Sequence, residues 1–147
     1  MHNIETLNKF LKDELAAMET YQQALDKLKG GAGLAGSKSL SPIYEAHKDA
    51  VSSLQALIYR LGGTPCEDSG AWGTWVKIVQ GGANILNKGV ALKALQTGEK
   101  MSATDYEEAL ENTALSSDVH SLIGWKLLLT QQAHVRTLDR LLGAQSA

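Results

Sequence analysis

Glu14 and Glu99 head the same short phrase in the 147-residue sequence: Glu, six residues, Tyr, two residues, Ala, Leu. It is read at Glu14, Tyr21, Ala24 and Leu25, and again at Glu99, Tyr106, Ala109 and Leu110. Toward the C-terminus Gln131 and His134 are spaced i, i+3, so on a helix they share a face. Carboxylate oxygens meeting an imidazole nitrogen suit iron, manganese or zinc. A full dinuclear carboxylate centre takes one Glu from each of two helices and Glu-x-x-His from each of the other two. In this chain Gln131 stands at one of those motif carboxylates, and repeat alignment puts Ala50 and Ser53 at the other motif. The expected ligands are Glu14, Glu99 and His134, enough for one metal, with Gln131 and His47 as weaker candidates. Tyr21 and Tyr106 are expected as hydrogen bonders behind them. His47, counted along its helix at about 1.5 Å per residue, comes out nearer the level of Tyr21 than of Glu14.

Helices are needed to carry these residues, and the hydrophobic pattern supplies them. Ile4, Leu7, Leu11, Glu14, Met18, Tyr21, Leu25 and Leu28 step by threes and fours along one seam, the signature of an amphipathic helix. Gly30, Gly31, Gly33 and Gly36 are expected to end it, with Ser41 and Pro42 starting a second helix. That helix carries Ile43, His47, Ala50, Leu54, Leu57 and Leu61 and stops at Gly62, Gly63 and Pro65. A crossover containing Trp72 and Trp75 leads to a third helix from Gly89 or Val90 to about Asn112. Ser116, Ser117 and Asp118 offer caps for a fourth, with Leu127, Gln131, His134, Leu138 and Leu141 inward and Gly143 closing it. Aligning Leu61-Gly62 with Leu142-Gly143 makes the two halves copies of one helical hairpin. The fold class expected is all-α: a four-helix bundle of two hairpins joined by a longer crossover, in one domain over residues 1–147.

Composition narrows the partners. Fourteen Lys and Arg against sixteen Asp and Glu leave a net charge of −2, without the basic stripe a nucleic-acid partner requires. The longest wholly apolar run near the C-terminus, Leu127 to Leu129, is far below the ~20 residues of a membrane span. One cysteine, Cys66, excludes an internal disulfide, and charges within the first fifteen residues do not suit a signal peptide. A cytoplasmic location is the expectation. Trp72 and Trp75 either plug the end of the bundle or mark a subunit contact in a homo-oligomer.

Leu54-Gln55-Ala56-Leu57, Leu61-Gly62-Gly63, Pro65, Asp68-Ser69-Gly70, Trp75, Gly98-Glu99 with Tyr106, Ala109-Leu110 and His134 resemble, as a set, a bacterial ferritin-like family catalogued only as a domain of unknown function. The likeness runs from Val51 onward and is weaker across helix one. More distantly, the paired Glu-x6-Tyr phrases and Gln131-x-x-His134 resemble bacterioferritin and rubrerythrin. The resemblance implies a ferritin-like four-helix bundle and no particular activity.

Two functions stay open on these residues. One is a core that holds a transition metal and handles metal or oxidant. The other is a structural or protein-interaction bundle that has lost its centre, in which Glu14 is neutral or paired with His134 or Tyr106 because an unpaired buried charge is too costly. For Glu99 a further alternative is a helix break at Thr97-Gly98 with Ser102 capping a new helix.

Overall fold

The computed structural model describes residues 2–28, 34–69 and 88–146; Trp72 and Trp75 lie outside the described residues. Three long helices, α1 (His2–Leu28), α2 (Leu34–Arg60) and α3 (Lys88–Leu110), pack with a fourth rod. That rod is α4 (Ser117–Leu122), a π turn (Ile123–Leu127) and α5 (Leu128–Ser146) in series. At ~1.5 Å per residue, α1 and α2 are each about 40 Å long.

α2 begins well before the expected start, takes in Gly36 and carries Pro42 inside it. An internal proline removes one helical N–H and costs about 3 kcal/mol. Leu40 and Ile43, on either side of it, are 1% and 3% exposed, and burying each contributes about 1.5–3 kcal/mol. Packing therefore outweighs the local penalty. The end of α2 is as expected. Gly62 N–H donates to the Tyr59 carbonyl and Gly63 N–H to Ile58, a Schellman closure that needs the left-handed backbone of Gly62, at φ 87°. A β-carbon on Gly63 would sit 2.8 Å from Ile4, so glycine there lets the chain close against α1. Asn8 then holds the next residues: its side chain donates to the Thr64 carbonyl and accepts from the Cys66 N–H.

α3 runs unbroken through Thr97, Gly98 and Ser102, so no helix break occurs before Glu99. Ser116 caps α4 by accepting the Val119 N–H, and the fourth rod continues past Gly143 to Ser146.

Contacts fix the directions. Thr64 and Cys66, just past the end of α2, reach Asn8 near the start of α1. Asp139, toward the end of α5, reaches Gln96 in α3. Arg60, Ser53 and His47, going back along α2, meet Asp118, Lys126 and His134 going forward along the fourth rod. α1 with α2 and α3 with α5 are thus antiparallel pairs, and α2 is antiparallel to the rod. Leu92 and Leu95, near the start of α3, pack with Tyr21, Ala24, Leu40 and Ile43. The start of α3 therefore lies at the opposite end of the bundle from the close of α2.

Two apolar clusters fill the interior. One gathers Leu7, Phe10, Leu11, Leu54, Leu57, Ile58, Val119 and Ile123; the other gathers Tyr21, Leu40, Ile43, Leu92, Leu95 and Leu138. Between them lie the buried polar residues Glu14, His47, Glu99, Gln131 and His134. Among the described residues, no helix is long and apolar enough to cross a membrane.

Candidate metal centre

Glu99 is fully buried on α3 and has four donors. Its Oε1 accepts the Tyr21 hydroxyl at 2.8 Å and His47 Nε2 at 2.5 Å. Its Oε2 accepts the Gln131 amide and His134 Nδ1, the latter at 3.3 Å. Burial alone would raise this carboxyl; the His47 charge and the imidazole hydrogen bonds override it and hold the pKa down at about 2.

Glu14, on α1, accepts His47 Nδ1 at 2.5 Å and the Tyr106 hydroxyl at 2.5 Å. The Tyr–Glu bonds cross: Tyr21 of α1 serves Glu99 of α3, and Tyr106 of α3 serves Glu14 of α1. As one partner climbs its helix the other descends by the same step, so α1 and α3 run antiparallel. Burial, then the neighbouring carboxylates, raise both phenols well above their ordinary value. Both hydroxyls keep their protons and act as donors.

His47 lies between the two acids. Its ring stacks on Tyr21 with centroids 5.3 Å apart and stands 4.8 Å from the ring of His134. Burial would lower its pKa; the Glu99 and Glu14 carboxylates override this and raise it to about 10. Both ring nitrogens therefore carry hydrogens at neutral pH and donate one to each acid.

The His47 ring does lie beside Tyr21, but the imidazole extends from its backbone far enough to meet Glu14 as well as Glu99. Three groups then converge: ligand atoms of His47, Glu99 and His134 lie within 4.8 Å of one another, all buried. Two metal–ligand bonds of 2.0–2.2 Å placed end to end span about 4.2 Å, so small side-chain adjustments would close the triad on one ion. Glu14 joins the group through His47, and Gln131 contacts it through Glu99. The Glu14–His134 pairing considered from sequence is not made; His134 turns to Glu99. His120 instead meets the Asn112 carbonyl at the surface, at 2.8 Å.

The fourth rod explains how Gln131 and His134 face inward. Its buried seam reads Ile123, Leu127, Gln131, His134 and Leu138. Two successive steps of four exceed the α-helical turn, and the wider π turn at Ile123–Leu127 absorbs the excess. Periodicity alone did not reveal that turn, although the paired steps of four are its trace in the sequence.

Beside the triad a cavity of about 100 Å³ opens toward solvent between α2 and the fourth rod, bordered by Glu14, His47, Ala50, Lys126, Gln131 and His134 among others. Ala50 and Ser53 occupy the positions on α2 that correspond by the repeat to Gln131 and His134. Lys126 reaches Ser53 at 2.6 Å and Asp49 at 2.9 Å. Sequence reasoning had not singled out Lys126.

No curated protein and no solved structure matches the chain. One family matches over residues 2–112, all of α1 included and the fourth rod excluded, which is broader over α1 and shorter at the C-terminus than the expected likeness. Glu14, His47 and Glu99 fall inside the matched span, and Gln131 and His134 outside it. The chain belongs to the family described as a domain of unknown function, DUF2383.

Proposed function

We propose that this protein is a ferritin-like bundle whose core binds one transition metal through His47, Glu99 and His134, with Glu14 completing the charge, and that it handles metal or oxidant. The observation that carries this reading is the convergence of those three buried ligand groups from three helices. Crossed Tyr–Glu bonds and two antiparallel hairpins whose joined ends lie at opposite ends of the bundle support the ferritin-like part. The charge adds support. Two buried carboxylates need a compensating positive charge, and a metal ion held by His47 would take the place of the hydrogen that its ligating nitrogen carries in the metal-free form. Mixed oxygen and nitrogen donors suit iron, manganese or zinc. The near-balanced charge of the whole chain favours a small ion over a nucleic acid as partner.

A second reading rests on one specific observation. Among the described residues no buried side-chain nitrogen or oxygen lacks a hydrogen-bond partner, and both nitrogens of His47 are already engaged. A polar layer this complete can serve a structural or protein-interaction bundle in which imidazolium replaces a lost metal. Metal analysis after exposure to Fe(II), Mn(II) or Zn(II) separates the two. About one ion per chain in the wild type, lost in Glu99→Ala, supports the metal centre. Far less than one ion per chain under all three exposures leaves the structural reading.

A further inference from the structure

The candidate ligands are buried, and the two apolar clusters flank them along the bundle. A hydrated cation cannot pass through either cluster. The cavity between α2 and the π turn offers another way in. It holds about 100 Å³, room for about three waters at ~30 Å³ each, and its lining includes His47 and His134 at the inner end and the small side chains Ala46 and Ala50. At its mouth the Asp49 carboxylate is 63% exposed and holds the Lys126 ammonium at 2.9 Å, while Ser53 holds the same ammonium at 2.6 Å.

On the metal-binding reading above, we infer that this cavity is the access route for the cation and that Lys126 is its latch. Asp49 is the outer carboxylate that an arriving divalent ion meets, and Lys126 is the resident positive charge that competes for it. Capture by Asp49 frees Lys126 to swing into solvent, and the ion moves inward along Ala46 and Ala50 to the imidazoles. A resident positive charge at the mouth repels the incoming cation and then moves away from the bound one, so the latch acts on the rate of uptake rather than on final affinity. The π turn places Lys126 at this mouth.

Uptake of Co(II), followed by its absorption in rapid mixing, tests the route on the full chain. Lys126→Met is expected to raise the uptake rate about three- to tenfold, with the dissociation constant unchanged within about threefold. Ala46→Leu, on the half-buried cavity wall, is expected to slow uptake at least about tenfold by filling the passage. Uptake rates equal to wild type in both variants overturn the latch and the route while leaving the metal centre standing. A wild-type protein that takes up no Co(II) overturns the metal centre and the route with it.

Discussion

The two acids of the core look like copies in the sequence and are served differently in the structure. Beside Glu99 the neighbouring rod supplies Gln131 and His134, and with Tyr21 and His47 the carboxylate has four donors. Beside Glu14 the corresponding α2 positions are Ala50 and Ser53; the acid has Tyr106 and His47, and a cavity opens alongside. His47 lies six residues before Ser53, the position a repeat would assign to a histidine, nearly two turns at ~3.6 residues per turn, and it reaches both acids. Two hairpins with matching Glu-x6-Tyr phrases thus form one crowded half and one emptier half, bridged by a single imidazolium. Burial of a carboxylate is tolerated in each case, but for Glu99 the compensation is local and redundant, whereas for Glu14 it depends on two partners.

That contrast can be broken most directly at the bridge. His47→Ala removes the cation from both acids at once, and the expected loss is at or above the upper end of the ~3–5 kcal/mol typical of breaking a buried pair, read by urea unfolding at pH 7. A loss below about 1 kcal/mol would show that the halves stand independently. Next, Glu99→Gln is expected to cost about 3–5 kcal/mol and Glu14→Gln about 1–3 kcal/mol; equal costs would erase the asymmetry.

The same bridge sets a pH profile for metal-free protein. Glu99, lowered from 4.5 to about 2, contributes stability that is whole above pH 4.5 and is lost as pH falls through 2. His47, raised from 6.5 to about 10, contributes stability that is whole below pH 6.5 and is lost as pH rises through 10. Unfolding free energy should therefore be greatest between about pH 4.5 and 6.5, and His47→Gln should flatten the alkaline decline. An alkaline limb unchanged in that variant would assign the effect elsewhere.

Smaller effects sharpen the picture. Among the described residues, Tyr106→Phe takes away one of two donors to Glu14, and Tyr21→Phe one of four to Glu99. The first should cost about 1.5 kcal/mol and the second about 0.5 kcal/mol, and the reverse order would contradict the crowding argument. Asp13, beside Glu14, is raised to about 6, chiefly by burial and then by Asp105. Replacing it with Asn should stabilise the protein slightly above pH 6, by less than about 1 kcal/mol after screening, with the gain fading in acid. Destabilisation instead would mean that the Glu14 side is not oversupplied with negative charge.

Much of this arrangement was legible in the sequence because period and spacing are properties of the backbone. Glu14, Tyr21, Glu99, Tyr106, Gln131 and His134 all fall on seams, and seams face the interior. The start of α2 was not legible, because glycines and a proline mark a break only when packing is weak, and Leu40 and Ile43 bind the region to the core. The role of His47 was obscured for a different reason. Counting rise per residue locates a Cα, whereas an imidazole and two carboxylates close the remaining distance with their side chains. The π turn lay between these cases: its phase shift was present in the spacing of buried residues, but a helix pattern tolerates a few such steps without declaring them.

Crossed phenol-to-acid bonds also have a mechanical meaning. Apolar seams of leucine and alanine are forgiving, and two such helices could slide past each other by one turn, about 5.4 Å, with many of their contacts replaced by equivalent ones. Tyr21 with Glu99 and Tyr106 with Glu14 forbid that sliding. Displacing α1 along α3 in either direction would break both phenol-to-acid bonds and strand the two hydroxyls among hydrocarbon. The polar layer therefore pins the axial alignment of α1 against α3, whatever else it holds.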